Sequence, residues 1–504
     1  MIYNFNLGIG WASSGVEYAQ VYRANIFRRM VADAKFIFTD LFWQDNIEHL
    51  TKNIGLLDEE VIWLYQYFTD FSIAPTSYTL EQLKETIAEN HYTIIKKETS
   101  VKIIFPGNNN YWNCYPAAPG SDRIHRVEYI SNGNLIRQDY FSYARMFSEF
   151  YEIKKGTVNV CLRRFYNENG SVAYDEIPGH GQSMFRFPDK ILYSKEELLD
   201  YFIQCLHLSK EDLLLLDRSS GIAQSILKYK NGAGLGVVIH ADHYSKEGST
   251  DTHILWNQYY EYVFQNSRKI DFFITSTEEQ ANLLGEQFRV CCHTRPQIVT
   301  IPVGSLDQLR YSFGKRRKHS FVTASRLAPE KHIDWLISAV VLARRTIPDI
   351  TLDIYGRGSQ EEFLRELIRE YDCGAYIKLC GHSAMEQVYE QYEGYLTASL
   401  SEGFGLTLME AVGSGLAMIG FDVCYGNQTF IKEEKNGYLI PVRRRMKESE
   451  RILALANRII RLCKEDRIEK FQKGSYQIAG QFLTSGVERM WQSLLEDRYD
   501  TFIG

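Results

Sequence analysis

The chain has 504 residues, enough for two to four domains at the usual size of roughly 100 to 200 residues each. Apolar residues make up 45% and charged residues 24%, ordinary globular values that argue against disordered, collagen-like and coiled-coil readings. The 57 basic and 63 acidic residues leave a net charge of −6, which removes bulk attraction to nucleic acid as a default function. The first fifteen residues, MIYNFNLGIGWASSG, carry neither the basic region nor the apolar run of a secretory signal, and no stretch approaches the ~18 apolar residues of a spanning helix, so the expected location is cytoplasmic. Nine cysteines occur without a Cys-x-x-Cys pair; Cys291, Cys292 and His293 are adjacent but have no second half, and read as ordinary thiols rather than a zinc site.

In chain order, Tyr3 to Gly8 reads as a strand, followed by a glycine-rich turn and a helix over Gly15 to Met30. From Trp63 to Tyr193 the pattern changes to short alternating segments: Val101 to Phe105, Arg126 to Ile130, Leu135 to Phe141, Val158 to Tyr166 and Ser171 to Ile177. Asn132-Gly133 and Asn169-Gly170 between them are hairpin signals, because such turns need positive φ. This predicts a β-meander of about five to eight strands, its aromatic residues mostly packed core and partly a protein-binding surface. After it, Ser194 to Glu197 has the form of a capping box opening a helix, and strands are predicted at Leu213 to Leu216, Leu235 to His240, Phe272 to Thr275 and Ile298 to Ile301. A second α/β series follows Pro302-Val303-Gly304. Its strands are predicted near Ser320, Thr351, Ile377, Gly394 and Ala417, its helices near Ile333, Gln360, Met385 and Phe404, and a helical end runs from Glu448 to Leu494. Arg443-Arg444-Arg445 reads as a solvated helix end.

The expected fold class is therefore α/β: two Rossmann-like halves facing a cleft, with a β-rich insertion in the first. In such folds the loops after the strands carry the ligand. The boundaries expected are 1–60 with 194–304 for the first domain, 61–193 for the insertion, 305–480 for the second domain, and 481–504 for a C-terminal helix packing back on the first. Four patches of the second half stand at strand-to-helix positions. Arg326 and Lys331 bracket one turn, where two cations could neutralise a diphosphate leaving group. Gly356-Arg357-Gly358 follows a strand, and Gly381-His382 repeats the arrangement where a backbone could read a nucleobase edge. In Glu402-Gly403-Phe404-Gly405-Leu406, running on to Glu410, two glycines open N–H groups toward a ligand at a helix start, which favours anions.

This series, Arg326 with Lys331, Gly356-x-Gly358, Gly381 and Glu402-x7-Glu410, resembles the retaining nucleotide-sugar glycosyltransferases of family four, which have the GT-B fold. The likeness is close over 300 to 445 and looser over 1 to 40 and 205 to 300. The turn from Gly8 to Glu17, with Gly15, looks like that family's N-domain turn near donor and acceptor. The segment 60 to 193 resembles the insertion of a narrower group, the catalytic subunits of the enzymes that modify serine-rich repeat adhesins in the accessory Sec pathway of Gram-positive bacteria. The resemblance implies that Arg326 and Lys331 hold the diphosphate and Glu410 the ribose hydroxyls. It gives Glu402, with the N–H groups of Gly403 to Leu406, the donor sugar and β-phosphate, and sets His240 facing the sugar. It implies transfer of N-acetylglucosamine from UDP-GlcNAc to Ser/Thr of an unfolded adhesin, with a second glycosyltransferase-like subunit and peripheral membrane contact near the export machinery. No Asp-x-Asp occurs, which agrees with a family that needs no metal ion, and no cofactor is expected. UDP-glucose as donor, glucosylation of a cell-wall teichoic acid and a non-catalytic glycopeptide-binding subunit are the competing expectations.

Overall fold

A computed structural model of the chain describes residues 1–10, 14–89, 91–107, 109–154, 156–179, 181–250, 252–312, 314–443, 445–465 and 467–503, with side chains up to 496. Trp11 to Ser13 of the first glycine-rich turn and Arg444 of the basic triplet lie outside the described residues. The chain divides into two compact units, Met1–Val237 with Tyr262–Asp271, and Val238–Glu261 with Phe272–Gly504.

The first unit is built on parallel strands β1 (Ile2–Asn6), β2 (Ala34–Phe38), β3 (Val61–Trp63), followed after the insertion by β14 (Leu213–Leu216) and β15 (Gly234–Ile239), in the order β15-β14-β1-β2-β3. β14 and β15 are near-continuous apolar runs, as expected of strands covered on both faces, while β1 also buries Asn4 and Asn6. The antiparallel sheet begins beyond β3. It has ten strands rather than five to eight: β4 (Thr93–Lys96), β5 (Val101–Ile104), β6 (Tyr111–Pro116), β7 (Ile124–Ser131), β8 (Asn134–Phe141), β9 (Arg145–Lys154), β10 (Thr157–Tyr166), β11 (Val172–Pro178), β12 (Ser183–Arg186) and β13 (Ile191–Leu192). Every strand pairs with its neighbours in sequence, so the meander is as expected. The sequence reading missed β4, β6, β9, β12 and β13, whose residues alternate poorly; β9, for example, has four successive buried positions from Met146 to Glu149. Asn132 and Gly133 both take positive φ, 49° and 79°, as their hairpin requires.

Aromatic rings organise this sheet. Cross-strand neighbours Tyr140, Phe147, Phe165 and Tyr174 stack in succession at centroid distances of 4.3, 5.3 and 4.5 Å. All four are buried, and Trp63 at the end of β3 and Tyr65 just after it pack on the row. The Tyr174 hydroxyl donates to Tyr65 O at 2.6 Å. This row is thus core and not a docking surface. At Ser194 the hydroxyl accepts from Glu197 N, while the Glu197 carboxylate takes Tyr193 N instead of closing a capping box.

The second unit opens with the end of β15, a two-stranded hairpin of β16 (Tyr244–Ser245) and β17 (Leu255–Trp256), and the parallel pair β18 (Phe272–Thr275) and β19 (Ile298–Thr300). Its main sheet has six parallel strands: β20 (Ser320–Ala324), β21 (Thr351–Tyr355), β22 (Ile377–Gly381), β23 (Gly394–Leu396), β24 (Ala417–Asp422) and β25 (Gly437–Pro441). The order is β22-β21-β20-β23-β24-β25, so the chain reverses direction of travel between β20 and β23. The helix Ile333–Arg344 lays Ile333, Leu336, Ile337, Val340 and Ala343 on this sheet at helical spacing and shares a core with Leu455 and Ile459 of the helix Glu448–Lys464. The helix expected near Met385 is two short 3-10 turns, Met385–Gln387 and Tyr389–Gln391, and the one expected near Phe404 starts at Leu406.

Candidate functional site: a strand-end hollow in the second unit

In an open parallel sheet the ligand crevice lies beyond the carboxyl ends of the strands where the order reverses. Here that point is the gap between β20 and β23. A hollow there is lined by Ser325, Lys331, Tyr395, Thr397, Glu402 and Thr407, among others. The Tyr395 hydroxyl donates to Ala324 O at 2.9 Å and lies 3.0 Å from Thr407 Oγ1, tying the end of β20 to the helix Leu406–Gly413. That helix has Gly405 as its N-cap without a side-chain cap, so the first N–H groups, on Leu406 to Leu408, have no carbonyl inside the helix to bond.

Lys331 closes a 3-10 turn, Pro329–Lys331, and its Nζ donates to Glu402 Oε2 at 2.6 Å. The two side chains are 16% and 21% exposed, so the pair is reachable yet poorly screened. Arg326, on the same loop, is far more open at 63% and meets only the equally open Glu330 at 3.2 Å among the contacts described. A diphosphate in the hollow would therefore meet a lysine already oriented, an arginine free to swing, and a helix start.

Glycine is required around Glu402. A Cβ on Gly403 would lie 2.4 Å from the carbonyl oxygen of His240, so the loop after β15 and the Glu402 loop touch backbone to backbone. Gly405 has φ +88°, the left-handed region. Phe404 contributes no side chain to the hollow: it is buried against Phe430 and Phe482, leaving only its backbone as a ligand contact. Gly356 and Gly358 have a packing reason, since Cβ atoms there would come within 1.8 Å of Ser325 O and 2.3 Å of Leu327 O. They let the loop after β21 press on the Arg326 loop, with Gly356 N donating to Gly381 O at 2.8 Å. His382, next along, is exposed.

Glu410 stands one turn into the helix, with Tyr389 OH 3.5 Å from its Oε2. Burial pushes its carboxyl up to about 7, the Arg310 charge and the Tyr389 hydroxyl opposing the shift. Arg326, Lys331, His240 and Glu402 to Glu410 thus share the second unit, whereas Gly15 opens the helix Gly15–Arg29 of the first. There Glu17 caps Ser14 N at 2.6 Å, and Asn6 donates to Glu17 Oε1 at 3.0 Å.

Sequence reasoning gave no role to Asp242, His243 and Tyr425, nor to Ser401, which opens the Glu402 patch. Ser401 Oγ donates to Asp242 Oδ2, whose carboxyl burial pushes upward. Nothing short of the folded chain brings residues 242 and 401 together. Among the described residues, no group of three or more His, Cys, Asp and Glu is placed to hold a metal ion, and no helix is long and apolar enough to cross a membrane.

Residues 308–472 match the family described as glycosyl transferases group 1, and residues 93–189 match the GtfA extended beta-sheet domain, which covers nearly all of the ten-stranded sheet. The GtfA subunit of UDP-N-acetylglucosamine–peptide N-acetylglucosaminyltransferase from Streptococcus gordonii is 52% identical over 99% of both chains. The crystal structure of the pneumococcal O-GlcNAc transferase GtfA in complex with UDP and GlcNAc superposes with a TM-score of 0.95 at 48% identity, covering 99% of each chain. A crystal structure of a GtfA/B complex matches at 0.93 and 52% identity over 99% of this chain and all of that one. The GT-B architecture expected from the sequence is therefore the fold of this chain, and with identity sustained from end to end the chain belongs to the GtfA-subunit family of UDP-N-acetylglucosamine–peptide N-acetylglucosaminyltransferases.

Proposed function

We propose that the chain is a UDP-sugar-dependent glycosyltransferase that moves N-acetylglucosamine from UDP-GlcNAc to serine and threonine hydroxyls of a serine-rich repeat adhesin, with retained anomeric configuration. The observation that carries the reading is the Lys331–Glu402 pair beside an open helix start at the strand-order reversal, in a chain alike from end to end to relatives named for this reaction. A subunit that only bound glycopeptide would have no use for a lysine held 2.6 Å from a carboxylate beside an uncapped helix start.

In the reaction the bond from C1 of the sugar to the β-phosphate oxygen breaks. A new bond to the acceptor hydroxyl forms on the same face, and the hydroxyl proton passes to the departing phosphate. Lys331 and Arg326 neutralise the charge that grows on UDP, and the N–H groups at Leu406 to Leu408 add to that stabilisation. Glu402 receives sugar hydroxyls, Glu410 the ribose, and the His240 segment closes the sugar's other side. Positioning and fixed charge, not a strong base, carry the rate. The ten-stranded sheet serves the acceptor and a second, related subunit, and the work is done in the cytoplasm with peripheral contact at the membrane.

The test is to incubate the chain with UDP-GlcNAc or UDP-glucose and either a Ser/Thr-rich adhesin peptide or polyglycerolphosphate, with and without the second subunit. Mass gain of one N-acetylhexosamine on the peptide is expected. Gain on the polymer, or from UDP-glucose alone, would overturn the reading.

A further inference from the structure

Glu402 owes its place to its backbone. Its N–H donates to Cys424 O at 3.1 Å, and its carbonyl accepts from Tyr425 N at 2.7 Å and Gly426 N at 2.8 Å. The turn Cys424–Gly426 is thus the socket in which Glu402 sits. Tyr425 is 1% exposed, and its hydroxyl is 3.2 Å from Nδ1 of His243, whose ring stacks alongside at 5.8 Å and 18°. His243 is fully buried, and its Nε2 is 2.8 Å from Gln287 Oε1.

These partners fix the tautomer. An amide oxygen can only accept, so Nε2 carries the proton; Nδ1 then accepts from the Tyr425 hydroxyl. Burial lowers His243 to about 4, which keeps it in this neutral form at physiological pH. The same short segment is anchored from below: His240 N and Ala241 N donate to the Tyr260 hydroxyl at 3.0 and 3.1 Å, and Gln280 Nε2 donates to Ala241 O at 2.9 Å. His243 is therefore a rigid peg, set on the loop after β15, that holds the socket of Glu402.

We infer that His243 and Tyr425 are positioning residues for the transfer reaction: the bond between them fixes Glu402, and the contact of Gly403 with the His240 carbonyl, at the spacing that productive donor geometry needs. The inference deepens the proposed function and rests on it for its kinetic half only. Neither side chain reaches the hollow that would hold the donor. Both act through the Glu402 backbone, and the sequence offers no motif that links positions 243, 287, 402 and 425.

The experiment uses the full chain with its second subunit. Tyr425→Phe removes the hydroxyl and keeps the ring. His243→Asn retains an acceptor near the Nδ1 position, whereas His243→Gln places its amide near Nε2 and loses that acceptor. Misplacing a reacting group by a fraction of an ångström is worth on the order of tenfold in rate. Tyr425→Phe and His243→Gln should each lower kcat by about that factor with UDP affinity unchanged within twofold. His243→Asn should recover most of the loss, and Tyr425→Phe combined with His243→Gln should lose no more than the larger single change. A purely structural role would impair the Asn and Gln variants alike and weaken UDP binding with kcat; that pattern overturns the inference. A second readout needs no substrate: amide exchange at Tyr425 and Gly426 should quicken several-fold in Tyr425→Phe while the helix Ile333–Arg344 stays protected. Unchanged exchange at those two amides overturns the inference whatever the substrate proves to be, while a parent chain that transfers nothing overturns only the proposed function.

Discussion

The two sheets of this protein handle charge in opposite ways. In the six-stranded parallel sheet the functional charges sit off the strand ends, with Lys331 and Glu402 paired at the surface of a hollow and Arg326 held loosely. In the ten-stranded sheet they lie along the strands and satisfy one another. Arg163 donates to Glu149 at 2.8 Å and Glu176 at 3.1 Å, and Arg164 and Arg186 converge on Asp175. Burial favours a protonated Asp175, yet the two arginines beside it together hold its carboxyl below the usual range. One sheet leaves its charges open to a ligand; the other uses them to fix the register of neighbouring strands. Charged residues at strand ends therefore read as function, and charged residues at cross-strand pairs read as structure.

Replacing Lys331 by Ala gives the largest effect on that contrast. Transfer should fall on the order of 10²- to 10³-fold, the usual cost of a lost charge at a developing anion. Glu402→Gln should likewise lose most activity, because a neutral amide replaces the carboxylate that holds Lys331 and is proposed to receive the sugar. Steady-state transfer with thermal melting as a control checks both; full rate in either, with an unchanged melting curve, breaks the assignment.

The matching change in the other sheet is Arg163→Ala. Glu149 and Glu176 are 5% and 4% exposed, so removing their shared partner leaves two carboxylates poorly solvated. The expected loss is about 3 kcal/mol, read as faster amide exchange across β9 to β11, with UDP binding retained. If exchange is untouched and UDP binding fails instead, the division between the two sheets is wrong.

How much of this was legible beforehand follows the same division. Strand-end chemistry is local in sequence: the spacing from Arg326 to Lys331 and from Glu402 to Glu410 survives as geometry because one short loop running into the next turn or helix carries it. The hollow could thus be placed from the chain alone. The sequence reading makes Phe404 a helix start whose N–H faces the donor; the helix begins at Leu406 instead, and the Phe404 ring fills the core. Gly356 and Gly358 stood out only as glycines at a strand-to-helix turn, and the crowding against Ser325 and Leu327 accounts for both. The His243–Tyr425 contact spans 182 positions, so no periodicity could announce it. In the antiparallel sheet, hairpins with Asn-Gly turns were visible, while strands such as β9, whose buried run breaks the alternation, were not.

A smaller effect follows from Glu410. Its carboxyl stands at about 7 against an ordinary 4.5, because burial disfavours the charge. Between those values the folded chain keeps a proton that the unfolded chain has lost, so this residue's contribution to stability is complete below 4.5 and declines as pH rises toward 7. Ribose hydroxyls donating to the carboxylate favour its ionised form, so UDP should bind more tightly as pH rises from about 6 to 8, by a few-fold, and level off above. Calorimetric titration across that range checks it, and Glu410→Gln should flatten the profile. A flat profile in the parent removes Glu410 from the ribose.

The smallest expected effect is that of a chelator. At a diphosphate leaving group some positive charge must grow in importance as the bond to C1 breaks, and a divalent ion or fixed cations can supply it. Here Lys331 is already oriented by Glu402, Arg326 can reach in bidentately, and the helix start at Leu406 adds its N–H groups. Those three sources lie on two loops that meet at the strand-order reversal, so in the proposed reaction they would act on the same phosphates. Transfer in excess EDTA should then stay within about twofold of the untreated rate, and added magnesium should restore no more than that. The sharper form uses Lys331→Ala: if fixed charge alone serves the leaving group, magnesium should not rescue the variant. A strict requirement for a divalent ion in the parent, or strong rescue of the variant, would mean that the cations orient the donor while a metal ion stabilises the departing UDP.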